Sequence, residues 1–170
     1  MIERPAESEY DPYYRLYTEQ VPQGDILEIM EANGKKTLGL LAEIGETKAA
    51  YRYAPDKWSI KQVIGHVTDV ERIFSYRALA FARLDKNPLP SFEQDDYVRH
   101  ANFDDRRLGH IAQEFEYARL SFLAMFKGFD KDILMRSGTA SGRRFTVRSI
   151  IFIVAGHEIH HLRVLKERYL

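Results

Sequence analysis

The residues of this chain best equipped for chemistry are histidines. His157 and His161 stand four apart in the run Gly156-His157-Glu158-Ile159-His160-His161. In a helix, positions i and i+4 lie one turn apart on one face, so both imidazoles can aim at the same point. A third imidazole must come from elsewhere, and His66 is the candidate, because it sits among Val63, Val67 and Val70 on or beside an apolar helical stripe. Two helices packed about 8–10 Å apart can bring such side chains onto one ion, with metal–nitrogen bonds of about 2.0–2.1 Å. Three protein ligands and one open position would be the arrangement of a catalytic site rather than a structural one. The same spacing also suits hydrogen-bonded core histidines, and an isolated HxxxH arises readily by chance. Spacing alone leaves both readings open. His160 is offset from the shared face, and His100 and His110 read as ordinary polar positions.

Carboxylates near these histidines are the next candidates. Asp69 lies one turn beyond His66, Glu71 follows on the same segment, and Glu158 follows His157. Asp69 could orient an imidazole, and Asp69 or Glu71 could serve as a base beside a metal. Salt bridges to Arg72, Arg77 or a neighbouring helix are the alternative for each.

These residues need helices to position them, and four long segments carry helical periodicity. The first spans about residues 25–50, although Gly34, Gly39 and Gly45 weaken it. The second opens at Trp58-Ser59-Ile60-Lys61-Gln62, where Ser59 and Gln62 have the spacing of a capping box. It runs to about Arg83, with Pro88 and Pro90 beyond it. Residues 91–103 read as a loop with at most one helical turn. Asp104 and Asp105 are then placed to cap a third helix, which Gly128 ends. Thr146 caps a fourth that runs to the C-terminus. A short strand pair at 137–145 fits the turn-rich Ser137–Gly142 stretch but has no stronger support. Four amphipathic helices with moderate connections predict an all-α four-helix bundle, a fold that builds sites between facing helices. Residues 1–170 read as a single domain.

Composition narrows the chemistry. Lys+Arg and Asp+Glu are each 25, giving a formal net charge of zero, so nothing favours nucleic acid or an anionic membrane as partner. The longest apolar run, 150–155, is far short of the ~20 residues of a membrane span. The N-terminal residues are charged and aromatic, without the pattern of a secretory signal, and a cytoplasmic location is expected. The chain has no cysteine. Disulfides, thiolate ligands and a protein thiol nucleophile are thereby excluded, and a metal would be held by His, Asp, Glu or main-chain oxygen.

Trp58-Ser59-Ile60-Lys61-Gln62-Val63-Ile64-Gly65-His66-Val67-Thr68-Asp69-Val70-Glu71-Arg72, together with the Gly156–His161 run, resembles the DinB family. This is the DinB/YfiT-like group of metalloenzymes, not the lesion-bypass polymerase that shares the name. The resemblance extends over nearly the whole chain, including residues 74–83 and 163–169. A Trp-Ser start with a histidine in that helix, followed late by an HxxxH cluster, is fairly specific when both occur in this order. The resemblance implies an up-down-down-up four-helix bundle, often a homodimer, with a metal site that matches His66, His157 and His161 one for one. It implies nickel, zinc or a similar divalent ion, since all-imidazole ligation suits several.

For activity, the resemblance implies a low-molecular-weight-thiol-dependent S-transferase first, acting with bacillithiol, mycothiol or glutathione on a small-molecule substrate. Arg72, Arg77 or Arg83 would be available for carboxylates of such a thiol. A metal-dependent hydrolase is the alternative, and a non-catalytic, stress-related metal-binding or dimerisation module is a third. Tyr13, Tyr14, Tyr17, Phe92, Tyr97 and Phe103 are expected either to cap a pocket over the metal or simply to tie loops to the core.

Overall fold

The computed structural model describes all 170 residues. Its helices are α1 (Arg15–Thr18), α2 (Ile26–Ala42), α3 (Glu46–Ala49), α4 (Ile60–Ala82), α5 (Gln94–His100), α6 (Leu108–Lys127), α7 (Lys131–Met135) and α8 (Val147–Val164). The four long ones form the bundle. Helices α2 and α4 each pack against both α6 and α8, so α2 sits diagonally from α4 and α6 from α8. No helix is long and apolar enough to cross a membrane.

Local chemistry sets the ends of these helices. Ser59 Oγ accepts from the Gln62 amide at 3.1 Å and Gln62 Oε1 accepts from the Ser59 amide at 3.0 Å, closing the expected capping box on α4. Thr146 Oγ1 accepts from the Ser149 amide at 3.1 Å and caps α8. Asp25 caps α2 through the Leu27 amide. The segment expected to be one helix over residues 25–50 is broken after Ala42, and Gly45 begins the separate short turn α3.

Three expectations are corrected. Asp104 and Asp105 do not cap α6; they lie in a 3-10 turn, and α6 starts at Leu108. The Leu108 amide instead donates to Glu46 Oε1 at 2.9 Å, a cap supplied by another element, while Asp104 accepts from Ser59 Oγ and Arg52. The stretch expected to be loop carries α5, about two turns long. A hairpin, β1 (Ser137–Ala140) with β2 (Arg143–Thr146), does form, paired Ser137 with Thr146 through Ala140 with Arg143. The chain is therefore mostly helical rather than strictly all-α. Ser141 at φ 53° and Gly142 at φ 71° make its tight turn, which needs the left-handed region at both central positions.

The bundle interior contains two apolar clusters. One holds Val70, Phe74, Phe122 and the 150–155 stretch of α8. The other holds Ile60, Val63, Ile64, Val67, Phe115 and Leu165. Between them lies a layer of polar side chains: His66 and Glu71 from α4, Arg119 from α6, Thr37 from α2, and His157, Glu158 and His161 from α8. Polar groups this deep must be partnered or leave the fold paying their desolvation.

Candidate metal centre

Helix α4 brings His66 to the layer and α8 brings His157 and His161, one turn apart as their spacing requires. The Nε2 atoms of His66 and His157 are 3.1 Å apart, and so are those of His157 and His161. One ligand nitrogen from each of the three lies within 4.8 Å of the other two. His66 and His157 are 3% and 6% exposed, so water does not separate the rings from the core.

Burial disfavours the charged imidazolium and sets the electrostatics of the cluster. It holds His66 down to about 4 and His161 down to about 3, the latter helped by His66 and His160. His157 is pushed well below the ordinary histidine range by burial and then by the other three rings. Three neutral imidazoles at near-neutral pH each present a lone pair, and neutral imidazole is the form that binds a metal. Nitrogens each about 2.0–2.1 Å from one tetrahedral ion would stand roughly 3.3 Å apart. The two 3.1 Å separations are close to that value.

Two glycines permit this convergence. Each precedes a clustered histidine, as Gly65-His66 and Gly156-His157. A Cβ at Gly65 would overlap the Phe103 ring, and one at Gly156 would overlap the main-chain carbonyl of Tyr17. The N-terminal segment thus lies directly on α8. Tyr17 packs edge-on against His157 at 5.2 Å between centroids, and Trp58 packs against His66 at 4.7 Å. Glu9 ties the segment down through Arg148 and Thr146.

Two cavities reach the cluster from different sides of its lining. One, of about 250 Å³, is bounded by His157, the aromatic side chains of Tyr13, Tyr14, Tyr17, Phe74 and Phe92, and by Arg77 among others. The second, of about 500 Å³, is more polar and touches His161 and His160 with Trp58, Lys57 and Asp56. Of the aromatic side chains expected near the metal, Tyr13, Tyr14, Tyr17 and Phe92 line the first cavity. Tyr97 packs edge-on against Phe92 outside it, and Phe103 covers Gly65.

The carboxylates face elsewhere. Asp69 pairs with Arg72 at 3.3 Å; burial raises its carboxyl, with Arg72 opposing. Glu71 accepts both Nε and Nη2 of Arg119, at 2.8 and 2.9 Å. Neither hydrogen-bonds to any of the three imidazoles. Arg119 Nη1 donates to the Met30 carbonyl at 2.9 Å and lies 2.8 Å from Glu158 Oε2, an ion-pair contact without good hydrogen-bond direction. Thr37 Oγ1 donates to Glu158 Oε1 at 2.6 Å. Burial would lower the Arg119 pKa, but the two carboxylates outweigh it and keep the guanidinium charged.

Arg119 is the central residue that reading the sequence missed. Its signal was present: it occupies a buried stripe with Phe115 and Phe122, where a charge demands partners.

The DinB superfamily pattern matches residues 29–165. A sequence comparison with curated proteins gave no match. Among solved structures, YfiT from Bacillus subtilis, described as a probable metal-dependent hydrolase with an unusual four-helix bundle topology, superposes with a TM-score of 0.70 at 13% identity, covering 97% of this chain and 90% of that one. The mycothiol-dependent maleylpyruvate isomerase superposes at 0.69 and 11% identity, covering 85% of this chain and 61% of that one. At these identities the likeness is one of fold. The match over most of its length places this chain in the DinB superfamily.

Proposed function

We propose that this chain is a metal-dependent enzyme in which His66, His157 and His161 hold one divalent ion, nickel or zinc. We further propose that it catalyses S-transfer with a low-molecular-weight thiol, working as a cytoplasmic homodimer of up-down-down-up bundles. The observation that carries the reading is the convergence of three neutral imidazoles, two of them buried, beside two separate cavities. A purely bracing ion would need no such access. A divalent ion bound there would lower the pKa of a coordinated thiol and stabilise its thiolate.

The protein's own residues supply the rest. With no cysteine in the chain, the sulfur must arrive from outside. Two cavities suit two reactants, a polar thiol beside His161 and an apolar acceptor beside His157. Tyr17 and Trp58 hold two of the rings in place and exclude water from their faces. Burial keeps the Tyr17 phenol protonated, so it can donate a hydrogen bond into the first cavity but not act as a base. Hydrolysis is the second reading, favoured by the near-complete structural overlap with YfiT.

The test begins with metal analysis by mass spectrometry on purified, untagged protein beside His157→Ala/His161→Ala. Near-stoichiometric metal is expected in the first and none in the folded variant. The loaded protein is then assayed with glutathione, bacillithiol and mycothiol against an aryl halide, and with aryl esters. Thiol conjugation supports the transferase; ester cleavage without thiol transfers the reading to hydrolysis. No metal after reconstitution with Zn, Ni, Fe and Mn would sink both.

A further inference from the structure

Arg77 is 2% exposed, yet no carboxylate lies within ion-pair distance of it. Its Nη2 donates to the Pro90 carbonyl and to Ser141 Oγ, each at 3.0 Å. Its Nη1 is fully buried and has no hydrogen-bond partner. The Phe74 and Phe92 rings flank the guanidinium at 4.8 and 5.8 Å, which steadies the cation without satisfying its N–H groups. The ionisable group that acts on it is the Tyr14 phenol, and Glu93 stands at the solvent-exposed mouth of the same cavity. A buried guanidinium is costly unless it is paired and its donors are used.

Its position gives the unused donor a purpose. His66, Val70, Phe74 and Arg77 fall on one face of α4, at i, i+4, i+8 and i+11. His66 and Arg77 are roughly 16 Å apart along the helix axis, and arginine side chains lean back toward the helix N-terminus, shortening that span. The aromatic cavity touches His157 at one end and Arg77 at the other.

We infer that this cavity is an acid-binding subsite: it takes a small molecule whose carboxylate pairs with the Arg77 guanidinium, whose apolar body lies among Phe74, Phe92 and Tyr14, and whose far end faces His157. The inference deepens the proposed enzyme reading, since it assigns the acceptor substrate to the class of aryl or alkyl carboxylic acids. Its binding half stands without the metal. A carboxylate supplies the buried cation with the charge-assisted partner that the fold withholds. The cavity of about 250 Å³ is smaller than most ligand sites, which span about 300–1,000 Å³, and so selects a small acid.

The test uses full-length protein, metal-free and zinc-loaded, with three probes: phenylacetate, 3-phenylpropanoate and hexanoate. Their neutral amides serve as controls. Binding is read by calorimetry and by side-chain resonances of ¹⁵N-arginine-labelled protein. At least one acid is expected to bind both forms, to shift the Arg77 guanidinium resonance, and to bind about tenfold more weakly to Arg77→Met, with Arg77→Lys between the two. Amide binding should not change. Acid affinity unaltered in Arg77→Met, no binding by any of the three acids, or acid binding that disappears with zinc or in His157→Ala/His161→Ala would each overturn the inference. Should Arg77→Met not fold, an unshifted Arg77 resonance at saturating acid overturns it in the wild-type protein. Failure of the metal reading looks different: no zinc uptake, with Arg77-dependent acid binding intact.

Discussion

Arg77 of α4 and Arg119 of α6 are buried to nearly the same degree, 2% and 4% exposed, and they are treated in opposite ways. On the side facing α2 and α6, Arg119 spends its donors on Glu71, the Met30 carbonyl and Glu158, and Thr37 completes Glu158. That half is closed in charge: each buried carboxylate faces the guanidinium, although Glu158 Oε2 has no well-directed hydrogen bond. On the side facing α1 and α8, Arg77 leaves a donor unused and three imidazoles turn their nitrogens toward one another. The same helix therefore carries a closed network and an unfinished one. A closed polar network gives the bundle a unique register; an unfinished one is where ligands complete the structure. The contrast also explains why Glu71, which reads in sequence as a possible base, is engaged elsewhere.

The comparison can be broken most forcefully at Arg119. Arg119→Met leaves two carboxylates buried without a cation and is expected to cost about 3–5 kcal/mol in urea unfolding. Replacing Glu71 and Glu158 by apolar residues in the same protein should recover most of that loss. A single variant that unfolds like wild type would show that the network is not closed in the sense argued here.

Acid provides a milder probe of the other half. The folded pKa values of His66 and His161 are depressed, so the folded state keeps both neutral while the unfolded chain binds protons below its ordinary histidine pKa of 6.5. Stability of the metal-free protein is thus fully present above about pH 6.5 and falls as pH drops toward the folded values of about 4 and 3. One unit below the unfolded pKa, the loss is roughly 1 kcal/mol per histidine. Glu9 has its own window. Burial raises its pKa, but the hydrogen bonds from Arg148 and its neighbours outweigh this and hold it at about 2, so its contribution is lost only below the usual 4.5. His66→Ala/His161→Ala should flatten the upper leg of a stability–pH curve and leave the lower one. Unchanged slopes between pH 6.5 and 4.5 would mean that the rings are not neutral by burial.

The smallest expected effect sharpens the comparison along α4 itself. Ser59→Ala removes the cap below His66 and should cost about 1 kcal/mol. Amide exchange should quicken in the first turn of α4 and leave the Glu71 turn protected. Equal acceleration at both ends would show that the two halves of the layer do not open separately.

Local signals were legible in the sequence. The Ser59–Gln62 box, the Thr146 cap, the Gly128 stop and the His157–His161 spacing depend on residues within a turn of each other. The structure repeats each of them, and it gathers the three histidines that the family resemblance had grouped. What escaped depends on distance along the chain. Asp104 looked like a cap because it preceded an apolar run, yet the cap came from Glu46, 62 positions away from Leu108. The closed network joins Thr37 to Glu158 across 121 positions and Glu71 to Arg119 across 48. The need for glycine at 65 and 156 shows only once Phe103 and the Tyr17 carbonyl are seen resting on them. The short α5 and the hairpin have too few residues for periodicity to separate them from loop.

The contact between Tyr17 and Gly156 also brings together two distant parts of the chain. The ion-holding histidines fall inside the portion matched by the superfamily pattern, whereas Tyr13, Tyr14 and Tyr17 precede its first matched residue, 29. The ion site and one wall of its antechamber are thus encoded in separable stretches. Changes to the leading 24 residues could retune what is admitted next to His157 while every bundle helix and every ligand stayed as it is. The first place to look for altered selectivity is a strap that lies on the bundle without being one of its four long helices.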